Sequence, residues 1–164
     1  MTRNANPEEL FSRHQRDIHR YLQRMTGSRD TADDLSQEVF LRVVRGLSGS
    51  AVIGHERGWV FSIAHRVVTD HHRERQRTVR TVNTGGRALP SNEPSQHGVQ
   101  ALALALGQSL QSLPETDRGI FLLKEVAGMS YEEIAYTTGC TVDAVRARLY
   151  RARSALRESL SIRF

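Results

Sequence analysis

Two groups of side chains in this sequence are of types that do chemistry. His65, Asp70, His71 and His72 lie close together along the chain, and imidazole and carboxylate groups ligate zinc or move protons. Farther on, Arg146, Arg148, Arg151 and Arg153 are interleaved with Ala147 and Tyr150. Guanidinium groups bond guanine edges bidentately or hold phosphates, and a small alanine lets a backbone come close to a base. The histidine group makes a poor metal cage, because on a helix only His65 and Asp70, or neighbours of that kind, approach one face, and no set of carboxylates accompanies them. These histidines are read as surface groups, and the sequence calls for no metal and no cofactor. The arginine group has two readings, a solvated helix face or a nucleic-acid contact, and the elements that position it must separate them.

Those elements are legible. Ser130-Tyr131-Glu132-Glu133 is a capping box. The short helix it opens carries Ile134 and Ala135, Gly139 breaks it, and Thr141 can cap the next helix. Ala135, Gly139 and Val145 stand at the spacings of a helix-turn-helix, in which a bulky first residue would hold the helices apart and the turn needs a positive φ. Val142, Val145, Leu149, Ala152, Leu156 and Leu160 form one inward stripe. Asp143, Ala147, Tyr150 and Arg151 then face outward, with Arg146 and Arg148 on the flanks, and Arg153 and Arg157 lie nearer the stripe, placed for phosphate contact or for snorkelling. The expected duplex-DNA contacts are Thr141, Arg146, Ala147, Arg148, Tyr150, Arg151 and Arg153.

The charge supports this placement. The 164 residues carry a formal net charge of +5, which suits a polyanionic partner. Residues 141–164 hold six arginines, with only Asp143 and Glu158 opposing them, whereas residues 98–140 hold five acids against Arg118 and Lys124. Hydrophobic residues make up 38% and aromatics 6%, so the cores must rest on Leu, Val, Ile and Ala, which favours helices. No apolar run approaches the roughly 18 residues that a membrane span needs, and Met1 to Pro7 has no apolar signal core, so a cytoplasmic location is expected. The single Cys140 excludes an internal disulfide and is read as a reduced thiol.

Residues 78–97 lack an apolar period and contain Gly85, Gly86, Pro90 and Pro94, the composition of a solvated tether. The expected architecture is therefore all-α, with small helical domains at 1–77 and 98–164 joined by a flexible linker at 78–97. In the first, Asn6-Pro7-Glu8-Glu9 opens a helix to about Met25 bearing Leu10, Phe11, Ile18, Tyr21, Leu22 and Met25. A second helix runs from Asp30 to near Gly46 with Ala32, Leu35, Val39, Phe40, Val43 and Val44 inward. A third fits Glu56 to about Arg77, with Trp59, Val60, Ile63, Ala64, Val67 and Val68 inward and Ser62, Arg66, Thr69, Asp70, Arg73 and Arg77 on its other face. Trp59 and Phe61 are of a type more often found in cores than stacked on bases. Beyond the tether, helices are expected over Val99 to Leu113 and from Pro114 to about Ala127.

Over about 150 residues the chain resembles bacterial RNA polymerase sigma factors of the extracytoplasmic-function (ECF) group of the sigma-70 family. Asp33-Asp34-Leu35-Ser36-Gln37-Glu38-Val39-Phe40 is similar to the family's polymerase-clamp-binding helix, and Trp59-Val60-Phe61-Ser62-Ile63-Ala64-His65-Arg66 to its promoter-melting helix. Leu113-Pro114-Glu115-Thr116-Asp117-Arg118, Met129-Ser130-Tyr131-Glu132-Glu133-Ile134-Ala135 and Val145-Arg146-Ala147-Arg148-Leu149-Tyr150-Arg151-Ala152-Arg153 follow it in the second half. The resemblance implies a sigma region 2-like bundle of three or four helices and a sigma region 4-like helix-turn-helix domain.

It further implies polymerase contact through Asp34, Leu35, Gln37 and Glu38, and capture of the single-stranded minus-ten element by Trp59, Ser62, Arg66, Asp70 and Arg73. The duplex minus-thirty-five element would fall to the helix-turn-helix. The implied partners are core RNA polymerase (the β′ clamp helices and the β subunit), promoter DNA and an anti-sigma factor, with no membrane insertion. No catalytic residues belong to such a chain, since polymerase performs the nucleotidyl transfer. Arg66 stands where family members often carry asparagine. A free-standing helix-turn-helix repressor or activator, and a sigma-like adaptor that sequesters a regulator, are the competing readings.

Overall fold

The computed structural model describes residues 6–47, 55–81 and 98–161. Among them run seven helices and no strand: α1 (Pro7–Thr26), α2 (Arg29–Leu47), α3 (Glu56–Thr81), α4 (Val99–Ser112), α5 (Glu115–Glu125), α6 (Tyr131–Thr138) and α7 (Val142–Ser161). The Asn6 side chain accepts a hydrogen bond from the Glu8 amide at 3.0 Å, with Pro7 next in the chain, so the first turn is satisfied before packing begins. Gly27 ends α1 at φ 72. A Cβ there would also lie 3.1 Å from the Gln111 side chain of α4, so this glycine answers both a left-handed turn and a close approach.

The first three helices bury most of the expected stripes, with Phe11, Leu35, Phe40 and Trp59 only partly covered. Leu10, Ile18, Tyr21, Leu22 and Met25 of α1 meet Ala32, Val39 and Val43 of α2 and Val60, Ala64 and Val68 of α3, all fully buried. Further details depart from the sequence reading, and one of them is His65, read there as a surface group but largely buried. Val44, expected inward, is 37% exposed, close to Leu41 at 47%. Phe61, outside the expected stripe, is fully buried. It stands edge-on to Tyr21 at 5.8 Å, with the Arg57 guanidinium 5.1 Å from its ring centre, so α3 is covered on a second side. Lastly, α3 continues to Thr81, past the expected end near Arg77. Residues 73–79 are exposed there, and a helix turn that buries no face leaves no apolar period to read.

The buried residues of both halves form one continuous cluster, because α4 and α5 pack on α1. Polar groups close the seam. Arg118 of α5, only 8% exposed, donates to the carbonyls of Met25 at 2.6 Å, Leu110 at 2.9 Å, Leu113 at 3.1 Å and Gln111 at 3.3 Å. These carbonyls lie at the C-terminal ends of α1 and α4, at the negative ends of the helix dipoles, and that of Leu110 also accepts from the Leu113 amide at 3.1 Å. Arg57 does the same for the end of α5, donating to Ala127 at 2.6 Å and Val126 at 3.0 Å while pairing with Asp17 at 3.1 Å. The Gln111 amide reaches the Arg24 carbonyl at 3.0 Å, and His55 and His72 of the first half face Glu133 and Glu115 of the second at 2.9 and 3.0 Å.

His65 sits in the same seam. Its Nδ1 lies 3.0 Å from the Tyr21 hydroxyl, and its ring is 3.4 Å from where a Cβ on Gly119 of α5 would stand. Burial lowers its pKa to about 4, with Glu115 opposing that shift and Arg66 adding to it. The folded pKa is below the ordinary 6.5, so the unfolded chain binds more protons between those values. His65 therefore contributes stability that is fully present above pH 6.5 and lost as pH falls toward 4.

Two outcomes are expected. Arg118→Ala should lower the unfolding free energy by about 3 kcal/mol in urea titrations, because several charge-assisted bonds to buried carbonyls vanish together; a change within 0.5 kcal/mol, the size of an ordinary surface substitution, would show the cradle to be passive. His65→Gln should remove about 3 kcal/mol of the wild type's stability difference between pH 7 and pH 4, the equivalent of the pKa shift, which parallel melts of the two proteins across that range would read.

Candidate nucleic-acid interface

The helix-turn-helix is built from local bonds. Ser130 Oγ accepts from the Glu133 amide at 3.1 Å and Glu133 Oε2 accepts from the Ser130 amide at 2.8 Å, closing the capping box of α6. Gly139 turns the chain at φ 71, and the Cys140 amide returns to the Ala135 carbonyl at 3.1 Å. Val145, Leu149, Ala152 and Leu156 of α7 are buried, while Val142 and Leu160, expected in the same stripe, are partly exposed. Both lie near the ends of α7, where fewer neighbours cover a side chain.

Of the expected duplex contacts, Ala147, Tyr150 and Arg151 lie on the opposite side of α7, Arg146, Arg148 and Arg153 on its flanks, and Thr141 just before it. Ala147 is exposed and Tyr150 is 74% exposed. Arg146 lies 3.5 Å from Asp143 and 5.7 Å from the centre of the Tyr131 ring. Arg148 and Arg151 both bond the Oδ1 atom of Asp117, at 3.0 and 3.3 Å. Arg153 pairs with Glu125 at 3.0 Å, which raises its pKa chiefly through that bond. Thr141 uses its hydroxyl locally, accepting from the Ala144 amide at 3.1 Å as the N-cap of α7. Asp117 escaped the sequence reading as a partner of the arginines, because a single acid in an acidic segment carries no periodic signal.

A second polar surface runs over α2 and α3. Asp34 and Gln37 are exposed, and Leu35 and Glu38 are half-buried. On α3, Trp59, Ser62, Arg66, Asp70 and Arg73 recur at helical spacing along one side. Arg66, Asp70 and Arg73 are exposed. Trp59 is half-buried, and a Cβ on Gly46 would come within 2.7 Å of its ring, so the indole leans directly on the end of α2. Ser62 donates to the Trp59 carbonyl at 2.6 Å. Arg42, which the sequence reading passed over, bonds Glu38 at 2.9 Å and Asp70 at 3.3 Å. The Glu38 bond is the chief reason its pKa is raised. It ties the expected polymerase-contact helix to the expected single-strand face. His71 and His72 have their rings 5.9 Å apart, on the side of α3 where His72 faces Glu115.

A three-helix bundle packed on a domain with a helix-turn-helix defines a helical DNA-binding transcription protein. The description Sigma-70 region 2 matches residues 10–78, and the description Sigma-70, region 4 matches residues 103–156. The ECF RNA polymerase sigma factor SigE of Mycolicibacterium smegmatis is 31% identical over 158 residues, covering 94% of this chain and 61% of that protein. The probable RNA polymerase sigma-C factor of Mycobacterium bovis is 31% identical over 151 residues, covering 91% of this chain and 80% of that one. The fold is similar to that of the sigma factor RpoE of Bartonella quintana in complex with the anti-sigma factor NepR, at a TM-score of 0.82 and 22% identity over 94% of this chain and 96% of that one. The chain belongs to the sigma-70 family, in its ECF group, whose work is promoter-directed transcription initiation.

The cap at Thr141 yields a test that separates folding from recognition. Thr141→Ala should lower stability by about 1 kcal/mol. Thr141→Asp should keep the cap and the melting temperature, and weaken duplex binding if this helix end faces phosphates. An unchanged melting temperature in the alanine variant would remove the capping role.

Proposed function

We propose that the chain binds core RNA polymerase and directs it to promoters of two-part sequence. In this reading residues 1–77 form the polymerase-binding and minus-ten domain, 78–97 the linker and 98–164 the minus-thirty-five domain. Asp34, Leu35, Gln37 and Glu38 contact the β′ clamp helices, and the exposed Leu41 beside them extends that surface with apolar area. Trp59, Ser62, Arg66, Asp70 and Arg73 take the single-stranded minus-ten element. Thr141, Arg146, Ala147, Arg148, Tyr150, Arg151 and Arg153 take the duplex minus-thirty-five element, and the linker lies along the polymerase. The protein acts in the cytoplasm without catalysing a bond change itself. No helix of the described residues is long and apolar enough to cross a membrane. An anti-sigma partner is part of the proposal, supported by the RpoE complex with NepR.

The observation that carries this reading is the division of α7, with Val145, Leu149 and Ala152 buried and Arg146, Ala147, Tyr150 and Arg151 exposed. A face of arginines around a small residue, held on a rigid helix, suits a major groove. The competing adaptor reading needs no such face.

The deciding experiment is transcription by purified core polymerase plus this protein on a promoter library, with the transcripts sequenced. Core-dependent starts below a shared two-part motif are expected; binding of neither core nor DNA would transfer the lead to an adaptor that sequesters a regulator. In the same system Glu38→Ala should weaken core binding by about 1 to 2 kcal/mol, the scale of a lost charged hydrogen bond. Discrimination among upstream duplexes should stay intact. Unaltered core affinity would withdraw the clamp assignment.

A further inference from the structure

Among the described residues, Asp117 is the one acidic residue with a buried side chain, at 5% exposure. It lies in the first turn of α5, where the helix dipole favours a carboxylate. A buried charge needs compensation, and its two ion pairs, from Arg148 and Arg151, both come from the recognition helix. Each guanidinium uses one of its amino groups on the shared Oδ1 atom, at 3.0 and 3.3 Å. The Arg151 side chain remains 59% exposed and that of Arg148 33%. A guanidinium has five donors in a rigid planar fork, so one anchored corner narrows the directions open to the rest.

We propose that Asp117 is a positioning residue for sequence readout: its carboxylate anchors Arg148 and Arg151 in one orientation on the outward side of α7, so that their remaining donors meet base edges in a set register. This rests on the duplex-reading role proposed above. The physical reason is preorganisation. A free arginine on a DNA-facing helix is drawn to the nearest phosphate, whatever the sequence. An arginine held by a buried carboxylate has already given up its freedom, and part of its charge is neutralised, which weakens its attraction to phosphates while leaving its directed donors in place. Asp117 would therefore lower affinity for arbitrary duplex and raise discrimination among duplexes, whereas a carboxylate that merely fastens α5 to α7 would affect both alike.

The test uses holoenzyme reconstituted from core polymerase and the full chain, on promoters with a fixed minus-ten element and either the selected or a scrambled upstream element. Asp117→Asn should lower the preference for the selected element about tenfold, within the range of one bidentate base contact, while binding to scrambled promoters is unchanged or stronger. In a chain already carrying Arg148→Ala and Arg151→Ala, Asp117→Asn should cause no further loss of preference. Nitrogen-15 NMR of the wild-type arginine side chains gives a readout that does not depend on a variant folding: the Nε–Hε groups of Arg148 and Arg151 should show restricted rotation beside the exposed Arg66 and Arg73. Equal loss on both promoters, a retained preference in Asp117→Asn, or free rotation of both guanidinium groups would overturn the assignment. Wild-type holoenzyme that ignores the upstream element would overturn the duplex-reading role, and this assignment with it.

Discussion

The Arg118 guanidinium sits where two helix ends converge, and the rest of the packing depends on its filling the carbonyls of Met25, Leu110, Gln111 and Leu113. Helix ends that point into a core carry unpaired acceptors, and each left bare would cost on the order of 1 to 3 kcal/mol. One planar cation with several donors satisfies four acceptors in directions that no apolar side chain could. Burial lowers the pKa of this group, yet a guanidinium stays protonated in proteins, so the cradle is always charged. Arg57 repeats the solution at the end of α5. The seam between the two halves thus contains a cation at the ends of α1, α4 and α5.

The same pairing of charge and burial is used outward on α7. Along its inner side only apolar residues are buried, which fixes the helix against α5 and α6 without constraining its exposed face. Asp117 then reaches that face from beneath. On the first half, Arg42 joins Glu38 of α2 to Asp70 of α3. All three of these groups are partly solvated, so the pairs hold orientation more than they add stability.

Much of this was legible in the sequence, for identifiable reasons. Ser130 with Glu133, Asn6 with Pro7, and Gly139 announce helix ends through chemistry between residues close in the chain, and the structure places each cap where its pattern puts it. The inward stripes of α1 and α7 read well because a helix with one buried side leaves a period. What could not be read depends on residues far apart. Phe61 is buried by Tyr21 and Arg57 from two directions, and a helix covered on more than one side no longer has a single stripe. Arg118 bonds a carbonyl of α1, and carbonyls carry no sequence signal. Thr78 and Val79, beyond Arg77 in α3, are exposed, so neither burial nor a breaker marked the end of that helix.

The join between the halves adds a set of directed polar bonds to apolar packing that is continuous with the cores on either side. Within each half, contacts such as Tyr21 on Phe61 exclude water and have no aqueous equivalent. Across the seam, the Arg118 bond to Met25, the Arg57 bonds to Val126 and Ala127, the Gln111 bond to Arg24 and the pairs of His55 with Glu133 and His72 with Glu115 are polar. Water can replace the solvated members, such as the pair of His55 with Glu133, at little net cost, whereas the Arg118 bonds are buried and leave bare carbonyls if lost. For a factor proposed to read two separated promoter elements, these directed bonds set the register in which the two halves share one apolar cluster.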